Sequence, residues 1–215
     1  WINCFGKKYS KKYMNSRLIK INNLSVSRND HVVFSDISFD IVESHAINIF
    51  GCNGSGKTTL LKTILGITEP SSGNIDNSGI ENLFEKIVYI GHKTALKNEL
   101  TVSENLSFAQ SICGEKDESL ILYALSMYKM SKYSDTPIKL LSHGQKKRAS
   151  LMKTLITKSI IWIIDEPYSS LDEDGIDVFN SLAKKHLESR GALILTNHKP
   201  LEKTFEKFLN VPVGE

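Results

Sequence analysis

One stretch of the sequence decides the fold: Gly51-Cys52-Asn53-Gly54-Ser55-Gly56-Lys57-Thr58-Thr59. It fits the pattern G-x-x-x-x-G-K-[ST]. The mostly apolar segment before it, Ala46–Phe50, predicts a β-strand, and Leu60–Leu65 after it predicts a helix that Gly66 would end. The flanking strand and helix argue against a glycine-rich turn that matches by chance, so the stretch indicates a phosphate-binding loop.

The chemistry of this loop follows from its backbone. The glycines let successive N–H groups point inward at phosphate oxygens, and the N-terminus of the following helix adds a partial positive charge. Lys57 is placed to reach the β- and γ-phosphates of a nucleotide, and the hydroxyl of Thr58 is placed to bind Mg²⁺. We therefore predict that residues 51–59 bind ATP together with Mg²⁺.

Composition excludes several other classes of protein. The chain has 215 residues, enough for one well-packed domain, and its 27 Lys and Arg residues nearly balance its 24 Asp and Glu residues. Such a small net charge gives no basis for predicting a nucleic-acid partner. The cysteines Cys4, Cys52 and Cys113 form no C-x-x-C pair and are too few for a disulfide framework, which favours a reducing compartment.

The first 17 residues differ from the rest of the chain. Residues 1–17 carry four lysines but no apolar core, so they do not have the pattern of a secretory signal. We expect a basic, disordered N-terminal extension, with Met14 as the natural start; a transit peptide is the alternative. The longest apolar run, Ile160–Ile164, is far shorter than the roughly 18 to 20 residues of a membrane span. We expect residues 18–215 to form a single domain.

Strand and helix patterns alternate along this domain. Apart from the segments around the phosphate loop, the patterns predict strands at Leu18–Val26, Ile37–Val42, Ile87–Ile90, Ile160–Ile164 and Ala192–Leu195, and helices at 101–113, 117–130, 142–157, 172–190 and Leu201–Phe208. The first two strands suit an antiparallel flank. The sequence thus predicts an α/β fold with a mostly parallel sheet, helices on both faces and a helical subdomain inserted at about residues 100–157.

Polar residues follow several of the predicted parallel strands. These groups are Gly91-His92, Asp165-Glu166 and Asn197-His198, together with Gly51 of the phosphate loop. Ligands of open parallel sheets bind at the carboxyl ends of the strands, so we expect these residues to meet at one edge. A structural ion pair is the alternative for Asp165 and Glu166, but a buried strand rarely ends in two adjacent carboxylates without a cation or a catalytic task.

Five motifs in this order give the chain a resemblance to the ATP-binding subunits of ABC transporters, from Leu18 onward. They are the phosphate loop, Leu141-Ser142-His143-Gly144-Gln145, Asp165-Glu166, Ser170-Leu171-Asp172 and His198. The resemblance implies the fold of the ABC ATPases, with a P-loop NTPase core, and ATP hydrolysis. It also implies that Asp165 holds Mg²⁺, that Glu166 is the general base for the attacking water, and that His198 contacts the γ-phosphate, with Lys57 also catalytic.

The resemblance further implies that two subunits share each ATP molecule. Ser142, Gly144 and Gln145 would close over the γ-phosphate of a second subunit in an ATP-dependent, head-to-tail homodimer. Ser142 and Gln145 have the spacing of a helix capping box, and the positive end of that helix suits an anion. His143 stands where glycine or alanine is commoner, and Asp172 would lie at the seam between the subunits.

Two positions depart from the family pattern. His92 stands at the Mg²⁺-sensing position where the family usually has glutamine, and an imidazole can also bind a metal. Arg28 stands where an aromatic residue usually stacks on adenine. A guanidinium can stack on a base as well, although a solvated turn residue is an equal interpretation of Arg28.

These departures, with the sequence Leu195–Leu201, resemble one subfamily: the ATP-binding subunits of cytochrome c-type biogenesis (heme export) systems. That resemblance implies polytopic membrane partners docking against Thr94–Val102. It places the chain peripherally on the cytoplasmic face of the inner membrane, or on the matrix side of the mitochondrial inner membrane for an organellar gene. No C-x-x-C-H occurs, so no direct heme binding is expected. The alternatives are an ABC ATPase for another transported substrate and a soluble ABC switch protein.

Overall fold

The structure is a computed structural model that describes residues 17–29, 31–77, 80–114 and 116–214. The predicted N-terminal extension therefore lies outside the described residues, except for Arg17, which begins the first strand. The strands are β1 (Arg17–Arg28), β2 (His31–Val42), β3 (Ala46–Phe50), β4 (Ser72–Asp76), β5 (Ile87–Ile90), β6 (Ile161–Ile164), β7 (Ala192–Asn197) and β8 (Phe208–Pro212). The helices are α1 (Lys57–Ile64), α2 (Val102–Ile112), α3 (Glu118–Met127), α4 (His143–Leu151), α5 (Lys153–Ile156) and α6 (Glu173–Glu188), with 3-10 turns at Leu83–Lys86, Ser131–Tyr133 and Ile138–Leu140.

A five-stranded sheet in the order β5-β6-β7-β3-β8 brings the strand ends together. All four neighbouring pairs are parallel, and Ile90 pairs with Ile164, which in turn pairs with Leu195. Phe50 pairs with Asn197. The residues that follow these strands therefore lie along one edge, which confirms the predicted convergence.

Both faces of this sheet are buried, as its apolar strands predict. All four residues of β6 are buried. Trp162 and Ile164 pack into one apolar core with α2, α3 and α6, while Ile161 and Ile163 pack into a second core with α1 and the strands β1 and β2. Successive side chains of a strand point to opposite faces, so β6 joins the two cores.

The antiparallel flank is confirmed as a second sheet. β1 pairs antiparallel with β2 and with β4, giving the order β2-β1-β4. The two long strands extend further than their apolar patterns indicated, and Asn29 lies in a turn directly after β1. β4 was not predicted, because its sequence Ser72-Gly73-Asn74-Ile75-Asp76 is mostly exposed and polar.

Residues 102–156 are predominantly helical. The two capping boxes predicted from the sequence, at Thr101 with Glu104 and at Ser142 with Gln145, are both formed. The helix predicted from Ser142 to about Thr157 is divided at Met152 into α4 and α5. None of the helices in the described part of the chain is long and apolar enough to span a bilayer.

The helix predicted at Leu201–Phe208 is wrong. Residues 201–202 have no regular structure and residues 203–207 form bends, after which β8 lies along the outer side of β3. Phe205 is buried, and this spacing of Leu201 and Phe205 imitated a helix face. The side chain of Asn210 binds both the N–H and the C=O of Leu201 and accepts a hydrogen bond from Asn48, so tertiary partners fix this segment.

Candidate active site

The phosphate-binding loop connects the end of β3 to the start of α1. Gly56 caps α1 with a φ of 102°, and a Cβ atom there would lie 2.8 Å from Cγ1 of Val33, so this position requires glycine. The ammonium of the buried Lys57 donates hydrogen bonds of 2.8 Å to the carbonyl oxygens of Gly51 and Cys52. The lysine therefore lies across the concave side of its own loop.

The C-terminal segment forms one wall of this loop. The N–H of Val213 donates to the carbonyl of Phe50 at 2.9 Å, and a Cβ atom on Gly51 would lie 2.3 Å from the carbonyl oxygen of Val213. Within the described residues, the hydroxyl of Ser55 is buried and has no hydrogen-bond partner. A lysine, an unpaired hydroxyl and the start of a helix in one loop are donors that fit phosphate oxygens.

The hydroxyl of Thr58 and the carboxylate of Asp165 lie side by side. The hydroxyl of Thr58 donates to Oδ2 of Asp165 at 2.7 Å, and Thr196 donates to Oδ1 at 2.6 Å. Asp165 is 1% exposed, and these two hydroxyls donate to both of its carboxylate oxygens inside the protein. Hard oxygen ligands of this kind suit Mg²⁺. The donor set beside the phosphate loop thus fits the cation that the sequence predicts.

Glu166 follows Asp165 in a strained conformation. Its φ is 48°, in the left-handed region that non-glycine residues rarely adopt. The carboxylate lies between two imidazoles: Nε2 of His198 is 3.6 Å from Oε1, and Nδ1 of His92 is 3.7 Å from Oε2. The structure thus brings together the predicted base and both predicted histidines. His92 follows β5, the strand next to β6, and from that strand end it contacts Glu166.

Lys147 was missed at the sequence level. It lies on α4, is 6% exposed, and donates to the main-chain carbonyl of Asp165 at 3.1 Å. Burial lowers the pKa of Lys147 to about 8, although the carboxylates of Asp165 and Glu166 oppose that change. No local pattern marks this residue, because Lys146 and Arg148 beside it are also basic.

The serine motif lies at the N-terminus of α4. The N–H of Gln145 donates to the hydroxyl of Ser142 at 3.2 Å, and the N–H of Ser142 donates to Oε1 of Gln145 at 2.9 Å. Gly144 packs so closely on the carbonyl of Ser170 that a Cβ atom would lie 2.7 Å from it. The helix start therefore adjoins the loop that leads to Asp172.

Asp172 is tied to α4 and to α6. Its carboxylate caps α6 by accepting from the N–H of Gly175, and Arg148 of α4 donates to the same oxygen. The hydrogen bond from Arg148 is the main reason why the pKa of Asp172 is lowered. Arg28, in contrast, lies at the exposed end of β1, opposite His31 across the hairpin.

Known proteins match the chain over nearly its whole length. The family model described as ABC transporter matches residues 34–169. The cytochrome c biogenesis ATP-binding export protein CcmA of Vibrio vulnificus strain YJ016 is 32% identical over 205 residues, which are 92% of this chain and 100% of that protein. The protein of the same name from Escherichia coli O157:H7 is 30% identical over 92% of this chain and 97% of its own length.

Solved structures match the fold. A Pyrococcus furiosus protein described as an ABC transporter ATP-binding protein has a TM-score of 0.79 and 26% identity, covering 90% of this chain and 96% of its own. An ATP-binding cassette solved as a dimer with ADP and Pi has a TM-score of 0.78 and 19% identity, covering 92% and 97%. Parallel and antiparallel sheets in this arrangement therefore recur in proteins that share few residues with the chain.

Proposed function

Because the chain belongs to the ABC transporter family of ATP-binding proteins, and is an ATP hydrolase of that family, we propose that it powers cytochrome c biogenesis. The observation that carries this proposal is the match to cytochrome c biogenesis ATP-binding export proteins at 30% and 32% identity over 92% of the chain. In this proposal the energy of ATP is used to release a heme-loaded chaperone from a membrane complex.

The proposed chemistry uses the residues at the strand tips. Glu166 accepts a proton from the attacking water, and His198, 3.6 Å from its carboxylate, donates to the γ-phosphate oxygens. Lys57 exchanges its two carbonyl partners for phosphate oxygens. Thr58 and Asp165 would hold Mg²⁺, which neutralises charge on the phosphates when it is bound.

The second half of each site comes from another copy of the chain in this proposal. Ser142, Gly144 and Gln145 are exposed or half-exposed at the start of α4. The side chains of Ser142 and Gln145 each accept a hydrogen bond from the main-chain N–H of the other residue. Their helix presents N–H groups and a positive dipole end, which suit the γ-phosphate of a partner. Two chains arranged head to tail would therefore enclose two ATP molecules.

A largely exposed loop with several hydrogen bonds to its main chain supports docking on membrane subunits. Asn105 holds the loop 94–102 through its side-chain amide, which donates to the carbonyls of Lys97, Leu100 and Thr101. Lys153 donates to the carbonyl of Ala95 at 3.0 Å. A surface fixed in this way can transmit movement to a partner. We place the chain peripherally on the cytoplasmic face of the inner membrane, or on the matrix side in an organelle, with heme carried by the partners.

Gene replacement tests the proposed pathway. Deleting the gene is expected to abolish covalent heme staining of c-type cytochromes, and the wild-type gene, but not Glu166→Gln, is expected to restore it. Normal c-type cytochromes in the deletion strain would contradict the pathway. That result would favour an ABC ATPase for another transported substrate, which is the second candidate because the membrane partner chooses the cargo.

Purified protein tests the proposed base separately. Glu166→Gln is expected to bind ATP, to lose hydrolysis and to accumulate as a dimer in gel filtration with ATP. A Glu166→Gln variant that hydrolyses ATP at the wild-type rate would remove Glu166 from the mechanism without touching the proposed pathway.

A further inference from the structure

The peptide unit between Asp165 and Glu166 is bound at both ends by side chains from other elements. Its carbonyl accepts from the ammonium of Lys147 at 3.1 Å, and its N–H donates to the hydroxyl of Thr196 at 2.8 Å. The first donor comes from α4 and the second partner from β7. Together they fix the plane of this peptide, from which the side chain of Glu166 departs.

This fixation counters a strain at the same residue. A φ of 48° is unfavourable for glutamate, and such conformations persist only where the surroundings hold them. Without the bond at its carbonyl, the peptide is held only by Thr196 at its N–H, and it can rotate more easily toward an ordinary conformation. That rotation would move the Glu166 carboxylate away from His198 and His92, which now lie 3.6 and 3.7 Å from it.

Lys147 also connects this peptide to the serine motif. It lies five residues after Ser142 on the helix that Ser142 caps, a rise of about 7.5 Å at 1.5 Å per residue. The next residue, Arg148, binds Asp172. One face of α4 thus contacts the end of β6. The N-terminus of α4, at Ser142, belongs to the surface that is proposed to bind the ATP of the partner.

We propose that Lys147 is a positioning residue, which holds the Asp165–Glu166 peptide so that the Glu166 carboxylate keeps its place, and which links that place to the orientation of α4. The inference rests on the proposed role of Glu166 as the base. An ordinary buried ammonium would stabilise the fold without affecting the chemical step. Lys147 is expected to affect that step through Glu166.

Four variants separate these two roles. Lys147→Met removes the donor at nearly constant volume, Lys147→Gln shortens it, and Lys147→Arg keeps a charged donor. Lys146→Met is the matched control, because Lys146 lies on the same helix and no side-chain hydrogen bond of it occurs among the described residues. We expect Lys147→Met and Lys147→Gln to lower kcat at least tenfold with KM for ATP within about threefold, and Lys147→Arg to recover most of the loss.

A structural readout accompanies the kinetics. The amide resonance of Glu166 in ¹⁵N-labelled protein is expected to shift in Lys147→Met and Lys147→Gln, and to stay in place in Lys146→Met. Wild-type kcat, an unmoved Glu166 resonance, or an equal loss of kcat and ATP affinity in Lys147→Gln would overturn the inference. Inactive Glu166→Gln together with fully active Lys147 variants would overturn the positioning role alone, whereas active Glu166→Gln would overturn the proposed base.

Discussion

The hydroxyl of Thr58 and the carboxylate of Asp165 are 2.7 Å apart, although 107 residues separate them in the sequence. The first lies at the start of α1 and the second directly after β6. This bond ties the phosphate loop to the sheet edge that carries Glu166. Both oxygens are of the hard kind that the proposed Mg²⁺ site requires.

Removing the hydroxyl at position 58 should weaken the use of Mg²⁺. In Thr58→Val we expect the Mg²⁺ concentration for half-maximal ATP hydrolysis to rise at least tenfold, because one of two hard oxygen ligands is lost. Thr58→Ser keeps the hydroxyl and is expected to stay within about threefold of the wild type. Titrating Mg²⁺ at saturating ATP measures this; equal requirements in Thr58→Val and the wild type would refute the ligand role.

Placing a large cation at the start of α4 should separate nucleotide binding from dimerisation. Ser142→Arg is expected to bind a fluorescent ATP analogue with wild-type affinity but to remain monomeric and inactive, since the partner's γ-phosphate site is blocked. The control is Ser126→Arg, at an exposed serine of α3. Gel filtration with ATP, followed by light scattering of the eluting protein, measures the mass. If Ser142→Arg still forms an ATP-dependent dimer, the proposal that two subunits share each ATP is contradicted.

The two imidazoles beside Glu166 should differ in importance. His198→Ala is expected to lower kcat about 10- to 100-fold, because a donor aimed at developing charge is lost. His198→Gln retains a donor and should recover part of this loss. His92→Ala should cost less, since the His92 side chain is 72% exposed and that of His198 is 55% exposed. Steady-state kinetics of the three variants measure the order, and a greater loss in His92→Ala would reverse the assignment.

Acid should destabilise the fold through His186. This imidazole stacks on Trp162 with ring centroids 4.0 Å apart, and burial lowers its pKa from 6.5 to about 4. The unfolded chain therefore takes up a proton at a higher pH than the folded protein. Above pH 6.5 His186 is neutral in both states and costs no stability. As the pH falls from 6.5 toward 4, the free energy of unfolding decreases by at most about 3 kcal/mol.

Urea unfolding of the wild type and of His186→Gln checks this sign. Between pH 7.5 and 4.5 the wild type should lose more of its unfolding free energy than the variant, because glutamine does not titrate. The remaining ionisable groups are the same in both proteins, so their contributions to the unfolding free energy cancel in the comparison. Parallel losses in the two proteins would show that His186 does not contribute to the acid sensitivity.

Local patterns predicted much of the fold. The strand Ala46–Phe50 has the bounds that its sequence indicated, and both capping boxes form, because each depends on residues within three positions of each other. The convergence of strand tips followed from the parallel topology. The roles of the site residues stay predictions, although the structure places Glu166 beside both His92 and His198.

The failures arose where distant residues decide. The apolar spacing of Leu201 and Phe205 imitated a helix, whereas Asn48 and Asn210 hold that segment beside β3. Lys147 was not recognised because its burial and its bond to Asp165 depend on how α4 packs against β6. A single sequence carries no local signal for either contact.

The wall that Val213 gives the phosphate loop has a consequence for how the protein is made. The N–H of Val213 donates to the carbonyl of Phe50, so a loop that is translated early is completed by residues that are translated much later. Such a distant pairing cannot form until the ribosome has released residues 208–213. A nascent chain therefore contains the whole nucleotide motif well before this wall of the loop can form.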